Sequence, residues 1–322
     1  MTHEFAHENE DKKILAIDGC PQANLSELLL GGLVGNGGDN LLALHNFSPR
    51  KSIGGYFQSR LPSPFISSGI IPENYISKPH EFNQKIPENV DLIAGDPLLE
   101  LQSNAMATLA NAQVPGTDTW LAVISWLHDF LNMSQVQDEY DYVFIDANPS
   151  FSIYTQIALS TANLLIVPVM ADDSSRRALQ NVFSLIYGYS LPSPIYSEHA
   201  FASKLTASEC ALPRVHLIVK NRITRYMGPA SAYYSVLKSI DSVVSGAMHT
   251  NPENFSFANL EGEGVAVVRD FGTTGVVAFA EGVPFFNLRT GNHHIMGEEV
   301  QIRQDYIDDC IAAVKLVSDK IN

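Results

Sequence analysis

Two short segments of the chain combine an apolar run with a terminal aspartate. Residues 14–17 are all apolar and precede Asp18, and residues 142–145 are all apolar and precede Asp146. Such runs, closed by turn-forming residues, are typical of strands buried on both faces. Acids at the carboxyl ends of parallel strands lie at the sheet edge where ligands bind. Because carboxylates are preferred ligands of Mg²⁺, the pair predicts a magnesium-nucleotide site.

The pattern of elements around these segments alternates between strands and helices. Strands are predicted at 14–18, 89–95, 142–146, 164–169, 215–219 and 266–268, and residues 284–286 are predicted to complete the sheet. Helices are predicted at 2–13, 23–30, 120–131, 153–162, 174–189, 230–244 and 302–314. This alternation predicts an α/β fold with a mostly parallel sheet covered by helices on both faces. We expect a single domain over 1–322, with irregular insertions near 59–87 and 191–213.

Composition restricts the class of protein. The chain has 322 residues and a formal net charge of −15, which disfavours non-specific adhesion to nucleic acid unless a basic patch is present. Its three cysteines lack paired spacing, which favours a reducing compartment over a disulfide framework. The first 13 residues lack the apolar core of a secretory signal, and the apolar stretch 163–171 is too short to span a bilayer. The sequence therefore predicts a cytoplasmic protein.

Four segments together resemble one known family. The segment 13–26 reads KILAIDGCPQANLS and resembles the "LLIDxDPQGNLT" signature of the ParA/MinD partition ATPases. The segments 89–96, 140–150 and 164–169 resemble that family's "NLDLIPA", "YDYIIIDTPPS" and "VLIPV" segments. Since all four occur in the family order, the resemblance implies a P-loop NTPase-like fold, binding of ATP and Mg²⁺, and ATPase activity.

The resemblance also implies roles for individual residues. Asp146 corresponds to the acid that holds a magnesium-bound water, and Asp18 to a catalytic and metal-associated residue near the γ-phosphate. Four further positions are implied in nucleotide binding: Gln22, Asn24, Pro149 and Asn221, the last at the adenine. An aspartate at the end of a strand also commonly caps the following turn, so a structural role stays open for both acids.

Two features depart from the family pattern. Cys20 stands where the family carries a second aspartate tied to hydrolysis, and a thiol is a poor carboxylate substitute, so we expect slow hydrolysis. No Gly-Lys-Ser/Thr triplet occurs, and the glycine-rich segment 31–38, which lacks lysine, is predicted to be a flexible turn. Impaired nucleotide binding and a missing P-loop strand are therefore expected. Either the chain is a shortened version of a complete relative, or it is a true pseudo-ATPase.

The implied biology is partitioning of a plasmid or chromosome. Family resemblance implies a homodimer formed around MgATP, non-specific DNA binding and a ParB-like partner protein. Candidate basic residues for DNA are Arg176, Arg177, Lys220, Arg222 and Arg225, although a solvated helix face is the simpler interpretation of the first two. The alternative function is a non-catalytic binding or regulatory module that keeps the fold.

Overall fold

The computed structural model describes residues 1–66, 69–223 and 232–321. The strands in this part of the chain are β1 (Ile14–Gly19), β2 (Ile76–Ser77), β3 (Val90–Ile93), β4 (Tyr142–Ala147), β5 (Leu164–Val169), β6 (Arg214–Ile223), β7 (Val265–Arg269), β8 (Gly291–Ile295) and β9 (Glu298–Ile302). The helices are α1 (Thr2–Glu8), α2 (Asn24–Leu29), α3 (Gly37–His45), α4 (Ile53–Arg60), α5 (Pro79–Phe82), α6 (Leu98–Ala110), α7 (Thr119–Ile124), α8 (Trp126–Leu131), α9 (Ser134–Gln137), α10 (Ile153–Thr161), α11 (Asp173–Tyr187), α12 (Phe201–Ala207), α13 (Ala232–Thr250), α14 (Gly272–Glu281) and α15 (Gln304–Ser318).

The chain groups into two compact units. The first comprises Met1–Thr161 and Thr273–Asp308, and the second comprises Ala162–Gly272 and the C-terminal residues from Asp309. Each unit contains its own sheet and its own buried apolar residues. A single domain over 1–322 stays a prediction.

The first unit is built on a four-stranded sheet in the order β2-β3-β1-β4. Strand β1 runs parallel to both β3 and β4, whereas β2 is antiparallel to β3. Because β1 lies inside the sheet, its residues 14–17 are fully buried, as expected for an apolar run between two neighbours. Strand β4 lies at the edge of this sheet, and Phe5 of α1 packs edge-on against its Tyr142 and Phe144.

The second unit is built on a parallel sheet in the order β5-β6-β7. Its apolar core joins the sheet to α15 through Leu217, Val219, Ala266, Val268, Ala313 and Val317. Parallel strand pairs connected through helices form most of the main sheet in each unit, so the predicted α/β class is confirmed.

Several sequence predictions need correction. Residues 284–286 do not complete a sheet, because Phe285–Asn287 form a short 3₁₀ helix after Pro284. The predicted helix 120–131 is two helices that meet at Ser125. The antiparallel hairpin of β8 and β9 was not predicted. The predicted helix 230–244 begins outside the described residues, and α13 continues to Thr250. Among the described residues, no helix combines the length and apolarity that crossing a membrane requires.

Candidate functional site

The two sequence-predicted acids meet at the carboxyl end of the first sheet. In the parallel pairing of β1 with β4, Asp18 lies directly opposite Asp146, and Gly19 lies opposite Ala147. The structure therefore brings together the two aspartates that the apolar runs predicted at one sheet edge. Their surroundings differ, and this difference determines what each carboxylate can do.

Asp18 is fully buried and hydrogen-bonded through both oxygens. Its Oδ1 accepts a hydrogen bond from the Cys20 backbone N–H at 3.1 Å. Its Oδ2 accepts from the Ser26 backbone N–H at 2.9 Å and from the Ser26 hydroxyl at 2.7 Å. Burial raises the pKa of Asp18, although these three donors act in the opposite direction. Asp18 thus anchors the loop between β1 and α2, and its geometry favours the structural role over direct contact with a metal ion.

Ser26 links this anchor to the neighbouring strand. While its hydroxyl donates to Asp18, the same oxygen accepts a hydrogen bond from the Gly95 backbone N–H at 2.8 Å. Gly95 lies two residues beyond the end of β3, so one buried hydroxyl links the segments that follow β1 and β3. Ser26 is the last residue of the family-like segment 13–26, but the sequence alone assigned it no role.

A second buried carboxylate supports the same edge. Asp96 accepts hydrogen bonds from Arg50 at 2.8 and 3.0 Å and from the Ser52 hydroxyl at 2.6 Å. Although burial opposes ionisation, these donors hold the pKa of Asp96 below its usual range. The adjacent Gly95 carbonyl lies 2.8 Å from Nε2 of the buried His45. Sequence reasoning missed this network because Arg50 and Ser52 lie 44–46 residues from Asp96 and belong to no recognisable motif.

Asp146 has the opposite environment. The residue is exposed to solvent, and its carboxylate has no hydrogen-bond donor or cation among the described residues. Packing of protein atoms around the carboxyl, followed by the charge of Asp18, raises its pKa to about 6. A carboxylate that is partly desolvated and faces a like charge is stabilised by a bound cation. Asp146 therefore fits a magnesium ligand.

The donor set at this edge is small. Among the described residues, no group of three or more His, Cys, Asp or Glu side chains is arranged to hold a metal ion. Mg²⁺ is commonly held by one or two carboxylates, with water and substrate phosphates completing its shell. Asp146 would hold the ion, whereas Asp18 lies nearby with its oxygens already engaged.

The comparisons with known proteins identify the family of the chain. A model of the AAA domain family (AAA_31) matches residues 1–189, more than half of the chain. The chain belongs to this family. Together with the fold, this match confirms the resemblance to the ParA/MinD-type partition ATPases. No curated protein sequence matches the chain.

Solved structures share the fold of this AAA domain protein at low sequence identity. The ATP complex of a McdA variant from Cyanothece is 12 % identical, has a TM-score of 0.58, and the match covers 98 % of this chain and 90 % of that chain. Apo McdA from the same source is 12 % identical with a TM-score of 0.56, covering 88 % and 83 %. Protein DIP2308 from Corynebacterium diphtheriae is 17 % identical with a TM-score of 0.51, covering 75 % and 80 %. At identities this low, the structural similarity establishes only that the fold is shared.

Cys20, at the position of the family's second aspartate, lies beside the two acids. Its thiol donates a hydrogen bond to Oε1 of Gln22 at 2.8 Å. Burial raises the pKa of this thiol, and the negative charges of Asp18 and Asp146 act in the same direction. Cys20 is therefore a neutral thiol at physiological pH and cannot supply a negative charge at this position.

The other residues implied in nucleotide binding occupy three places. Gln22 and Asn24 are exposed, in the loop after β1 and in the first residue of α2. Pro149 is exposed in the loop that follows β4. Asn221 lies in β6 of the second unit, where its Oδ1 accepts a hydrogen bond from the Arg222 backbone N–H at 2.9 Å. The roles of these four residues stay predictions.

The candidate basic residues in the second unit of this AAA domain protein are matched by carboxylates. Arg176 and Arg177 both pair with Asp173, at 2.8 and 3.1 Å. Lys220 pairs with Asp241 at 2.7 Å, and Arg222 lies 3.9 Å from Asp270. Arg225 lies outside the described residues. Paired surface cations contribute less positive potential to a DNA contact than unpaired ones.

Proposed function

We propose that the carboxyl edge of the β3-β1-β4 sheet is the magnesium-nucleotide site of a ParA-like ATPase fold. The observation that carries this proposal is the register of β1 and β4, which sets the exposed Asp146 opposite the anchored Asp18. Asp146 holds Mg²⁺, either directly or through a water molecule. When bound, Mg²⁺ neutralises phosphate charge during phosphoryl transfer.

In this proposal, Asp18 acts on the loop that follows it and not on the metal. Its hydrogen bonds to Cys20 and Ser26 fix the backbone from which Gln22 and Asn24 project towards solvent. Fixing a loop before a ligand arrives lowers the entropy cost of binding. Since Cys20 stays a neutral thiol, hydrolysis is slow.

Nucleotide binding by this chain is weak in the same proposal. The 322 residues contain no glycine-lysine phosphate loop. The amides and lysine of such a loop supply several charge-assisted hydrogen bonds, each contributing about 1.5–3 kcal/mol. Loss of three of them weakens binding at least about a thousandfold, at 1.4 kcal/mol per decade.

The cellular role proposed from the family is partitioning of a plasmid or chromosome. Nucleotide-dependent homodimerisation, non-specific DNA binding and a ParB-like partner protein belong to this proposal through family kinship. The ion pairs around Arg176, Arg177 and Lys220 lead us to expect that any DNA contact is weak and is lost at physiological salt.

Calorimetric titration of this chain with ATP, with and without Mg²⁺, tests the site. For the unmodified protein we expect a millimolar dissociation constant for MgATP. Asp146→Asn should weaken MgATP binding at least about fivefold, which is about 1 kcal/mol. Without Mg²⁺ the same substitution should strengthen ATP binding, because it removes a negative charge near the phosphates. This reversal of sign distinguishes a metal ligand from a residue that merely supports the fold.

Asp39→Asn is the matched control, because Asp39 is an exposed aspartate of α3 in the same unit. It should leave both affinities unchanged within about twofold, as expected for a screened surface charge. Micromolar MgATP binding would contradict the proposed weakness. Equal effects of Asp146→Asn and Asp39→Asn would contradict the assignment of the site.

The second candidate function is a non-catalytic binding or regulatory module. The neutral thiol of Cys20, in place of an aspartate, favours it. Phosphate release from MgATP separates the two functions when Cys20→Asp is compared with the unmodified chain. A rate that rises with Cys20→Asp supports an ATPase slowed by the cysteine, and no detectable turnover in either protein supports the module.

A further inference from the structure

In the first unit, the imidazole ring of His293 in β8 lies between two oxygen acceptors. Its Nδ1 is 2.6 Å from Oε1 of Glu281, the last residue of α14, and its Nε2 is 2.8 Å from the Arg289 carbonyl oxygen. Both side chains are largely withdrawn from water, since that of His293 is 9 % exposed and that of Glu281 is 20 % exposed. Solvent therefore screens this contact less than it screens an ion pair on the open surface.

The two acceptors together require a doubly protonated ring. A carbonyl oxygen and an ionised carboxylate can only accept hydrogen bonds, and a neutral imidazole carries a single N–H. If either ring nitrogen of His293 lost its proton, its lone pair would face an oxygen lone pair at hydrogen-bonding distance. The arrangement is therefore satisfied only when His293 is an imidazolium ion.

Charged side chains on neighbouring segments act on this ring in opposite directions. Although burial lowers the pKa of His293, the hydrogen bonds to Glu281 and to the Arg289 carbonyl, together with the charge of Glu281, raise it above its ordinary value. The positive charge of Lys85, which precedes β3, opposes this increase. Glu298 of β9 lies on the same face of the hairpin as His293. The net effect favours the imidazolium ion that the geometry requires.

The hairpin that carries His293 has little other polar support. Among the described residues, β8 and β9 pair only with each other. A two-stranded hairpin is only marginally stable by itself. The hydrogen bond between Asn292 and Glu299 stays within the hairpin, whereas the contact of His293 with Glu281 joins it to a helix. Ile302 is buried at the base of the hairpin, so the distal part depends most on this contact.

The helix end that carries Glu281 is fixed by the rest of the unit. The side-chain amide of Asn83 donates a hydrogen bond to the Gly282 carbonyl at 2.7 Å. Gly32 lies so close that an added Cβ would be 2.5 Å from the Gly282 nitrogen. The glycine-rich segment 31–38, predicted to be a flexible turn, is thus packed against the end of α14. When the contact breaks, the hairpin is the part that is free to move.

We propose that His293 and Glu281 form a protonation-controlled latch that holds the β8-β9 hairpin against the end of α14 and releases it when His293 loses its proton. The stabilisation is complete below the ordinary histidine pKa of about 6.5 and is lost as pH rises through the higher pKa of the folded state. The latch includes none of the residues of the proposed nucleotide site, so the two proposals are independent.

Hydrogen–deuterium exchange of the nucleotide-free full chain, measured by mass spectrometry at about pH 5.5 and about pH 8.5, tests the latch. After correction for the intrinsic pH dependence of exchange, the protection factors of the hairpin amides in 291–302 should be at least about fivefold lower at the higher pH. The reason is that opening of the hairpin is then no longer opposed by the protonated ring.

Three variants separate the latch from other pH effects. In His293→Gln, which cannot gain a positive charge, hairpin protection should be low and should differ less than about twofold between the two pH values. Glu281→Gln keeps an acceptor but removes the charge, so the pKa of His293, followed by NMR of the ring, should fall. His294→Gln is the matched control, because His294 is exposed on the opposite face of the same strand, and the pH dependence should persist. Circular dichroism verifies that each variant is folded.

Three results would overturn the proposal. The first is hairpin protection that is the same at both pH values in the unmodified chain. The second is a pH dependence that survives in His293→Gln or disappears in His294→Gln. The third is a pKa of His293 that Glu281→Gln leaves unchanged.

Discussion

The ends of β1 and β4 carry the same residue type in opposite environments. Asp18 terminates an interior strand, is fully buried and accepts three hydrogen bonds. Asp146 terminates the edge strand of the same sheet, is exposed and has no donor among the described residues. The two residues are direct neighbours in the strand register.

This contrast shows that position in the sheet decides the role of a strand-end acid. An acid beneath flanking loops must be satisfied by hydrogen bonds, because a buried unpaired carboxylate is very unfavourable. Its oxygens are then unavailable to a ligand. An acid at the edge keeps its oxygens free, and its raised pKa marks a charge that a cation would stabilise. Asp18 is accordingly an anchor, and Asp146 is the acid available for chemistry.

The largest expected effect is a difference in the free energy of unfolding between variants of Asp18 and variants of Asp146. Asp18→Ala should lower the free energy of unfolding by about 3 kcal/mol, because it leaves the backbone N–H groups of Cys20 and Ser26 without their acceptor. Asp146→Ala should change the free energy by no more than about 0.5 kcal/mol, as expected for an exposed side chain without partners. Urea denaturation monitored by circular dichroism measures both free energies. Similar decreases in the two variants would contradict the claim that Asp18 has a structural role that Asp146 lacks.

The second effect concerns the hydroxyl that supports the anchor. Ser26→Ala should lower the free energy of unfolding by about 2 kcal/mol, since it removes the donor to Asp18 and the acceptor of the Gly95 N–H. Ser150→Ala, at an exposed serine in the loop after β4, serves as the control and should cost less than about 0.5 kcal/mol. A neutral Ser26→Ala would show that the loop is held by other contacts.

The sequence predicted the part of this contrast that depends on local strand patterns, but not the part that depends on contacts between distant segments. The apolar runs before Asp18 and Asp146 predicted two strands and a shared edge, because short buried strands have a distinctive pattern. The burial of Asp18 could not be read, since it depends on Ser26 and on Gly95, which are brought together by the sheet order β3-β1-β4. Sheet order follows from long-range packing that local patterns do not encode.

The errors elsewhere in the first unit have local causes. Residues 284–286 are apolar enough for a strand, but Pro284 is followed by a 3₁₀ turn. The hairpin of β8 and β9 did carry a signal, because Met296 and Gly297 form its turn with positive φ and glycine is common there. The helix break at Ser125 had no comparable marker, since an apolar period of three to four residues continues across it.

A smaller effect sharpens the comparison through pH. Because the pKa of Asp146 is raised to about 6, the folded state holds this proton more tightly than the unfolded chain. The resulting stabilisation is complete below the unfolded pKa of about 4 and is lost as pH rises through about 6. Asn resembles the protonated acid, so Asp146→Asn should melt about 1–2 °C above the unmodified protein at pH 8.

The difference in melting temperature should shrink at pH 5, where the unmodified protein is mostly protonated at this position. Differential scanning calorimetry at both pH values provides the measurement. A gap between the two proteins that is the same at pH 5 and pH 8 would mean that Asp146 ionises normally and that Asp18 does not influence it.

The most direct test of the account is a carboxyl ¹³C NMR titration of the two aspartates with and without Mg²⁺ and ATP. Signals are assigned from the spectra of Asp146→Asn and Asp18→Asn. We expect the pKa of Asp146 to fall from about 6 by at least about one unit when the metal-nucleotide is present, while the Asp18 signal stays unchanged. A pKa of Asp146 that does not move, or a response confined to Asp18, would contradict the assignment of Asp146 as the metal-binding acid.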